Sequence, residues 1–325
     1  MTLPYLLPVA FAPAPYTALD IAQTPYTAVQ LAFHAGGSYA PDGDSIRMKA
    51  LRPNLWPLGV KRSKKDGTVQ SRMEGMDALE LHFYGYSQPL LLALAARDHL
   101  LKLLGVSIQK DGKPSSKEVP GWALTRSADI YGRCIAFLFP QNAPLVDGAK
   151  YMAGDASFLD ILRQSANVQM LSAGMAYPMF YELLPTPIRG LMREEALKAR
   201  EKKIGVWAED QTLLGAHFFK ANDVEEAVFY PKLARRLFRY FSELGKANPP
   251  QFGLGRFSSF LEAEPDLLHL ASEMPPDGEH APTRFLHGPE ILEIDEKQDR
   301  LRLLVPPEDI VWHEKMHENP LLPRR

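Results

Sequence analysis

Arg72-Met-Glu-Gly-Met-Asp77-Ala-Leu-Glu80 is the stretch that decides the fold. An apolar strand over residues 69–76 is predicted to give way to a turn inside it. Because side chains alternate along a strand, Arg72 and Glu74 point to one face and Met73 to the other. The turn that follows then brings Asp77 and Glu80 back towards the mouth that Arg72 occupies. The stretch therefore predicts a strand end at which an arginine and two acids meet.

Two short motifs on either side belong with this stretch. Asp42-Gly-Asp44 precedes it and Tyr131-Gly-Arg133 follows it. Taken alone, Asp42 and Asp44 indicate a hairpin turn, because Asp-Gly is a turn signal. Taken together, carboxylates suit a hard cation and guanidinium groups suit phosphate oxygens. The combination indicates metal-assisted phosphodiester hydrolysis; the alternative is an ion-pair network on a barrel rim.

The rest of the first half alternates short strands with one helix. Strands are expected over 28–34, 45–51, 122–125 and 133–140, and a helix over 87–104. The leucines expected on the buried face of that helix are Leu90, Leu91, Leu94, Leu101 and Leu104. Short strands, turn signals and a single intervening helix predict a small closed barrel in an α+β fold.

Length and charge divide the chain further. At 325 residues it is long for one small domain, so length favours two. The net charge of −2 conceals a polarity. Residues 42–139 carry 15 Lys and Arg against 10 Asp and Glu, a net of +5, whereas residues 210–325 carry 14 against 20, a net of −6. Because phosphate affinity follows local charge, the total does not exclude a nucleic-acid substrate.

The motifs in their order resemble the staphylococcal-nuclease (thermonuclease) family over roughly residues 30–209. They are Asp42-Gly-Asp44-Ser, Arg72-x4-Asp77-Ala-Leu-Glu80, Tyr131-Gly-Arg133 and Glu195-Ala-x-Lys198-x3-Lys202-x2-Gly-Val-Trp207. The resemblance implies a five-stranded OB-fold barrel with packed helices. It also implies products with 5′-hydroxyl and 3′-phosphate ends. The expected organisation is an N-terminal arm (1–30), a nuclease-like domain (31–209, insertion 141–166) and a mainly α-helical C-terminal domain (210–325) ending in a β-hairpin.

The resemblance also implies a role for each motif residue. Asp44 and Asp77 match direct calcium ligands, beside the backbone carbonyl of Ala78 and with Asp42 behind them; Mg²⁺ or Mn²⁺ are the alternative ions. Glu80 matches the base that orients or deprotonates water. Arg72 and Arg133 match the arginines that hold the phosphate. Residues expected to bind DNA or RNA beside them are Tyr131, Lys64, Lys65 and Tyr181.

The sequence also allows alternative functions. A non-catalytic nucleic-acid- or protein-binding module would keep the barrel without turnover. His313-Glu-Lys-Met-His317 spells a zinc-peptidase pattern, but no further histidine follows it as a third ligand. Aromatic and arginine residues over 229–241 favour a helix with one buried face over a single-strand-binding surface. A protein partner or a dimer contact is expected, if anywhere, in the C-terminal domain.

Bulk features set the expected environment. The single Cys134 excludes an intramolecular disulfide and suits a reducing compartment. The apolar N-terminus contains prolines at 4, 8, 13 and 15 and has no Lys or Arg before Asp42, unlike a signal peptide. No apolar run reaches eighteen residues, so no membrane partner is expected. The sequence therefore favours the cytoplasm.

Overall fold

Strands of the first half of the chain form a closed barrel. The computed structural model describes residues 24–36, 39–247, 249, 251–274 and 285–313. The strands up to residue 181 are β1 (Tyr26–His34), β2 (Arg47–Ala50), β3 (Val69–Met73), β4 (Met76–Asp77), β5 (Val119–Ala128), β6 (Cys134–Pro140), β7 (Lys150–Tyr151), β8 (Tyr177–Pro178) and β9 (Phe180–Tyr181). Neighbours in the barrel follow the order β1–β2–β3–β6–β5 and back to β1, and β7 extends the edge of β1. The predicted small barrel is confirmed.

The helices complete an α+β fold, as predicted. Within the described ranges there are seven: α1 (Leu90–Leu103), α2 (Ala156–Arg163), α3 (Ala166–Ser172), α4 (Thr186–Glu201), α5 (Ala221–Glu226), α6 (Pro231–Leu244) and α7 (Phe257–Ala263). None of the helices in this part of the chain is long and apolar enough to cross a membrane. Helix α2 lies inside the predicted insertion at 141–166, and α3 and α4 pack on each other and on the barrel.

Strand register explains why two distant arginines share one end of the barrel. Strands β3 and β6 are parallel neighbours, and Arg72 lies opposite Ile135. Arg133 comes two residues before Ile135, so its side chain leaves the sheet on the same face as that of Ile135. The parallel pairing therefore places Arg72 and Arg133 side by side at the rim.

The turn between β3 and β4 is fixed by a glycine and by a buried amide. Gly75 has φ +81°, and a Cβ there would lie 2.4 Å from the sulfur of Met192 on α4, so a side chain has neither the backbone conformation nor the space. Asn167 of α3 donates to the carbonyls of Glu74 and Ala136 at 2.9 and 3.0 Å. The amide thus joins the turn before Asp77 to strand β6.

Helix α1 corrects one expectation about packing. Its buried residues include Ala93, Ala96 and Leu100, whereas Leu90 and Leu91 are 53% and 83% exposed. A Cβ added to Gly43 would lie 3.1 Å from Cβ of Ala96, so the helix approaches the Asp42–Asp44 loop closely. Leucines do not fit at that distance, and alanines face inward there. The predicted burial of Leu101 and Leu104, at the other end of the helix, is confirmed.

The C-terminal region is mixed and is packed on the barrel half. Its strands are β10 (Ala216–His217), β11 (Leu267–Leu270), β12 (Leu286–His287), β13 (Leu292–Asp295), β14 (Arg300–Leu303) and β15 (Ile310–Trp312). Strands β13 and β14 form the predicted hairpin. Strand β15 pairs in parallel with β9, with Trp312 opposite Tyr181. Strands and helices alternate here rather than forming a mainly helical domain.

Several predicted features lie near the ends of the described residues. Strand β1 begins at Tyr26, two residues before the expected strand start at residue 28 and inside the predicted N-terminal arm. The remainder of the predicted arm, residues 1–23, lies outside the described residues. So do residues 314–317 of the His-Glu-x-x-His pattern, although His313 is described and contacts Glu182 at 2.8 Å. The domain boundary near residue 209 stays a prediction.

Candidate active site

One cleft at the barrel rim, of about 710 Å³, gathers most of the predicted site residues. Those that line it are Asp42, Asp44, Arg72, Asp77, Glu80, Tyr131, Arg133 and Tyr181. Helix α6 lines the same cleft with Lys232, Arg235, Arg236 and Arg239. Motifs separated by up to about a hundred residues are thus brought to one mouth, and a second wall comes from the C-terminal region.

Close packing brings Asp42 and Asp44 next to the segment that carries Asp77. Asp42 and Ser45 close a tight turn, with the Asp42 N–H donating to the Ser45 carbonyl at 3.1 Å. A Cβ on Gly43 would lie only 2.6 Å from Cβ of Ala78. The Asp42-Gly-Asp44 turn therefore rests directly on the Asp77-Ala78 backbone. Only a glycine between the two aspartates permits this approach.

The acid cluster, which we define as Asp42, Asp44, Asp77 and Glu80, carries strong mutual repulsion. Burial, and next the Glu80 carboxylate, raise the pKa of Asp42 to about 7. Burial also raises the pKa of Asp44 well above its usual range, and Asp77 and Asp42 add to the rise. Burial raises the pKa of Glu80 too, although the charge of Arg235 opposes the rise. These acids are held together at an electrostatic cost.

Arg235 of α6 lies inside the acid cluster, and sequence reasoning missed it. Its guanidinium is bidentate on Asp77, with Nη1–Oδ1 2.9 Å and Nη2–Oδ2 2.8 Å. Nη1 also donates to Glu80 Oε1. Burial acts to lower the pKa of Arg235, but Asp77 and Glu80 outweigh it and raise the pKa well above its usual range. Four carboxylates against this one contacting guanidinium leave a surplus of three negative charges when all are ionised.

Arg133 is oriented by a neighbour that the sequence analysis did not name. Asp129 Oδ2 accepts from Arg133 Nε at 2.6 Å, and Asp129 Oδ1 accepts the backbone N–H groups of Tyr131 and Arg133 at 3.0 and 2.9 Å. Gly132 in this turn has φ +86°. Tyr131 is 69% exposed, 5.7 Å from the Arg133 guanidinium carbon. The signal was available, because an aspartate two residues before a turn commonly caps it.

Tyr181 joins the barrel wall of the cleft to the helical wall. The Arg72 guanidinium carbon lies 4.5 Å from the centre of the Tyr181 ring, and Lys232 Nζ lies 5.9 Å from it on the other wall. The pairing of β9 with β15 holds Tyr181 in this position. A tyrosine flanked by two cations provides a polarised aromatic face at the base of the cleft.

Three predicted residues lie outside the cleft lining. Lys64 and Lys65 are exposed in the loop before β3. That loop approaches the cleft only through Lys61, whose N–H donates to the Gly132 carbonyl at 2.9 Å. Ala78 is 3% exposed and packs against Gly43 beneath the acid cluster. The lysine loop therefore extends the basic surface outward from Tyr131 and does not form the site itself.

The loop that carries Glu80 is tied to the C-terminal region by Gln88. The Glu80 N–H donates to Gln88 Oε1 at 3.2 Å, and the Gln88 N–H donates to the Glu80 carbonyl at 2.8 Å. Gln88 Nε2 donates to the Phe229 carbonyl at 2.7 Å, and Gln88 is fully buried. Gln88 is thus a positioning residue for Glu80 that the sequence analysis overlooked.

Side chains alone do not complete a metal cage. Within the described ranges, no three His, Cys, Asp or Glu side chains are grouped so as to hold an ion by themselves. The acid cluster nevertheless offers only hard oxygen donors, and its carboxylates outnumber the one guanidinium that contacts them. Calcium accepts carboxylates, backbone carbonyls and water in one coordination shell. The residues present therefore fit a hard divalent cation that completes its shell with non-carboxylate oxygens.

Comparison with models of known protein families and with curated proteins found no match to this chain.

Proposed function

We propose that this chain is a metal-dependent nuclease that hydrolyses phosphodiester bonds of DNA or RNA. The observation that carries the proposal is the meeting of four carboxylates with Arg72 and Arg133 across one cleft. The resemblance to the staphylococcal-nuclease family supports the same assignment. A cleft that offers anchored arginines on one side and buried acids on the other is suited to an anionic substrate with a developing charge.

Arg72 and Arg133 account for binding of the phosphodiester and for part of the rate enhancement. A phosphodiester is already anionic and gains charge on its equatorial oxygens during attack by water. Fixed guanidinium groups therefore stabilise the transition state more than the ground state. Asp129 holds Arg133 and the Tyr181 ring contacts Arg72, so both cations are oriented before substrate arrives. Preorganised donors of this kind need no rearrangement during the reaction.

Glu80 is the proposed base. Its carboxylate lies beside Asp77 at the cleft, and burial raises its pKa, which strengthens it as a proton acceptor while it is ionised. Gln88 fixes the backbone on which it is carried. Positioned acid–base catalysis of this type contributes about 10²–10⁴ in rate.

Asp44 and Asp77 are the proposed ligands of the cation, with the Ala78 carbonyl beside them and Asp42 behind. Ca²⁺ is the expected ion, with Mg²⁺ or Mn²⁺ as alternatives. When bound, the cation supplies positive charge that stabilises the attacked phosphate. For the chain itself, ion binding offsets the cost of ionising Asp42 and Asp44, whose pKa is raised first by burial and then by the neighbouring carboxylates.

The proposed substrate path runs from the exposed lysine loop over Tyr131 to Tyr181. Lys64 and Lys65 would attract the backbone, and the exposed Tyr131 ring offers a stacking surface for a base. Helix α6 borders the path on its other side with Lys232, Arg236 and Arg239. Each of these three is paired with Asp266 or Glu264, so this wall is partly neutralised.

The second candidate is a non-catalytic nucleic-acid-binding module on the same barrel. The observation in its favour is that Arg235 contacts Glu80, the proposed base, and Asp77, a proposed metal ligand. A module of this kind would bind nucleic acid through the same arginines and tyrosines without cleaving it.

Cleavage of end-labelled single- and double-stranded DNA and RNA distinguishes the two. The wild type and Glu80→Gln are compared in Ca²⁺, Mg²⁺ and EDTA, with Glu118→Gln as the control, since that carboxylate is 60% exposed. We expect divalent-dependent cleavage that EDTA stops, that Glu80→Gln reduces by at least about 10²-fold, and that the control retains. Binding without cleavage in every metal would support the non-catalytic module and overturn the nuclease.

A further inference from the structure

Helix α6 presents four cations to the cleft, and Arg235 differs from the others in its partners. Lys232 and Arg236 pair with Asp266, and Arg239 pairs with Glu264, all within the C-terminal region. Arg235 instead pairs with Asp77 and Glu80, which belong to the rim of the barrel. The Arg235 side chain is 26% exposed and the Asp77 side chain is 5% exposed, so the contact is largely shielded from solvent. Arg235 is therefore the cation that α6 inserts between acids of the proposed catalytic machinery.

The geometry of this contact disfavours a second cation on the same carboxylate, because that cation would lie close to the guanidinium charge. Both oxygens of Asp77 accept a guanidinium N–H, at 2.9 and 2.8 Å. A calcium ion lies about 2.3–2.6 Å from a carboxylate oxygen. An ion on Asp77 would thus lie within a few ångströms of the Arg235 charge, in a partly buried site where repulsion is weakly screened.

We propose that Arg235 is a positioning residue that competes with the divalent cation for the negative charge of Asp77, a proposed metal ligand, and so sets the metal affinity of the site. In the absence of metal, its guanidinium pairs with Asp77 and with the proposed base Glu80 and holds both in place. An ion on Asp77 is repelled by the Arg235 charge or displaces it, and the apparent affinity for metal is reduced by the free energy of that competition. The inference rests on the metal-dependent function proposed above, and it assigns to the C-terminal region a direct effect on the barrel site.

The test is a calorimetric titration of the full-length protein with Ca²⁺ alone. Arg235→Gln removes the charge while keeping a side chain that hydrogen-bonds to a carboxylate. Arg239→Gln is the matched control, one turn further along the same helix and paired at the surface with Glu264. We expect Arg235→Gln to bind Ca²⁺ at least about tenfold more tightly than wild type, because a like charge is removed from the ligands. The control is expected to change affinity by less than about twofold.

Equal or weaker binding by Arg235→Gln, or no binding by any variant, would overturn the inference. Because the substitution leaves buried acids with less compensation, thermal unfolding provides a second readout. Ca²⁺ is expected to raise the Tm of Arg235→Gln more than that of the wild type, and an equal rise would count against competition. Should Arg235→Gln not fold, Arg235→Met, which also removes the charge and keeps a long side chain, is titrated instead and should bind Ca²⁺ more tightly than wild type.

The cleavage assay separates this inference from the proposed function. Tighter Ca²⁺ binding by Arg235→Gln, with no cleavage by any variant, would support the competition and overturn the nuclease. Metal-dependent cleavage by the wild type, with unchanged Ca²⁺ affinity in Arg235→Gln, would support the nuclease and overturn the competition.

Discussion

Replacement of Gln88 tests how strongly the Glu80 loop depends on the C-terminal region. The Gln88 side chain is fully buried, accepts the Glu80 N–H at 3.2 Å and donates to the Phe229 carbonyl at 2.7 Å. Gln88→Met keeps most of the side-chain volume, but the Glu80 N–H and the Phe229 carbonyl lose their hydrogen bonds to the Gln88 amide. An unsatisfied buried group costs about 1–3 kcal/mol, so the loss expected in the free energy of unfolding is about 2–6 kcal/mol.

Urea unfolding followed by tryptophan fluorescence measures this loss. Gln141→Ala is the control, because Gln141 is exposed, and its free energy of unfolding is expected to stay within about 0.5 kcal/mol of wild type. A loss in Gln88→Met no larger than that of the control would refute the argument that these two hydrogen bonds hold the loop.

Catalysis provides an independent readout of the same substitution. Because Gln88 fixes the backbone of Glu80 and contacts no cleft-lining arginine, cleavage by Gln88→Met should fall mainly through kcat, with KM little changed. A rise in KM at unchanged kcat would show that the loop acts on substrate binding and not on the base.

Two further predictions concern the Asp42-Gly-Asp44 turn. The pKa of Asp42 is raised from its ordinary value of 3.8 to about 7, so in EDTA the folded state keeps a proton that the unfolded state loses between about pH 4 and pH 7. Stability then falls as pH rises through that window, by up to roughly 4 kcal/mol, and Asp42→Asn should be more stable than wild type at pH 8 but not at pH 4 in thermal melts. Equal stabilities at both pH values would contradict the shift. Gly43→Ala places a Cβ 2.6 Å from that of Ala78 and should cost about 1–3 kcal/mol in urea unfolding, whereas Gly154→Ala is the control, because Gly154 also lacks a positive φ and its added Cβ meets no atom within 4 Å.

The barrel and the rim residues were predictable because their signals are local. Short apolar stretches marked β1, β3 and β6, and Asp-Gly marked the turn at which Asp42 and Asp44 reach the rim. Parallel pairing of β3 with β6 then placed Arg72 and Arg133 together without any further requirement. The strands and turns that depend on short-range sequence patterns could therefore be predicted from the sequence.

Helix α1 shows where such reasoning fails. Hydrophobicity ranks leucine above alanine, and Leu90 and Leu91 were therefore expected to face inward. The structure buries Ala93 and Ala96 instead, because the loop around Gly43 approaches the helix too closely for larger side chains. The inward face of this helix depends on the distance to a neighbour, and no property of the helix sequence encodes that distance.

Arg235 shows the same limit for the site itself. Nothing in the local sequence distinguishes it from Arg236 or Arg239, and all three fit a helix that exposes its cations. Its partner Asp77 is 158 residues away along the chain. The contact exists because β15 pairs with β9 and the core formed by the C-terminal region also includes Leu79, Leu81 and Tyr177 of the first half. Tertiary packing thus converts one of several similar arginines into a charge inside the acid cluster, and the barrel motifs alone would describe the four acids without the guanidinium that contacts two of them.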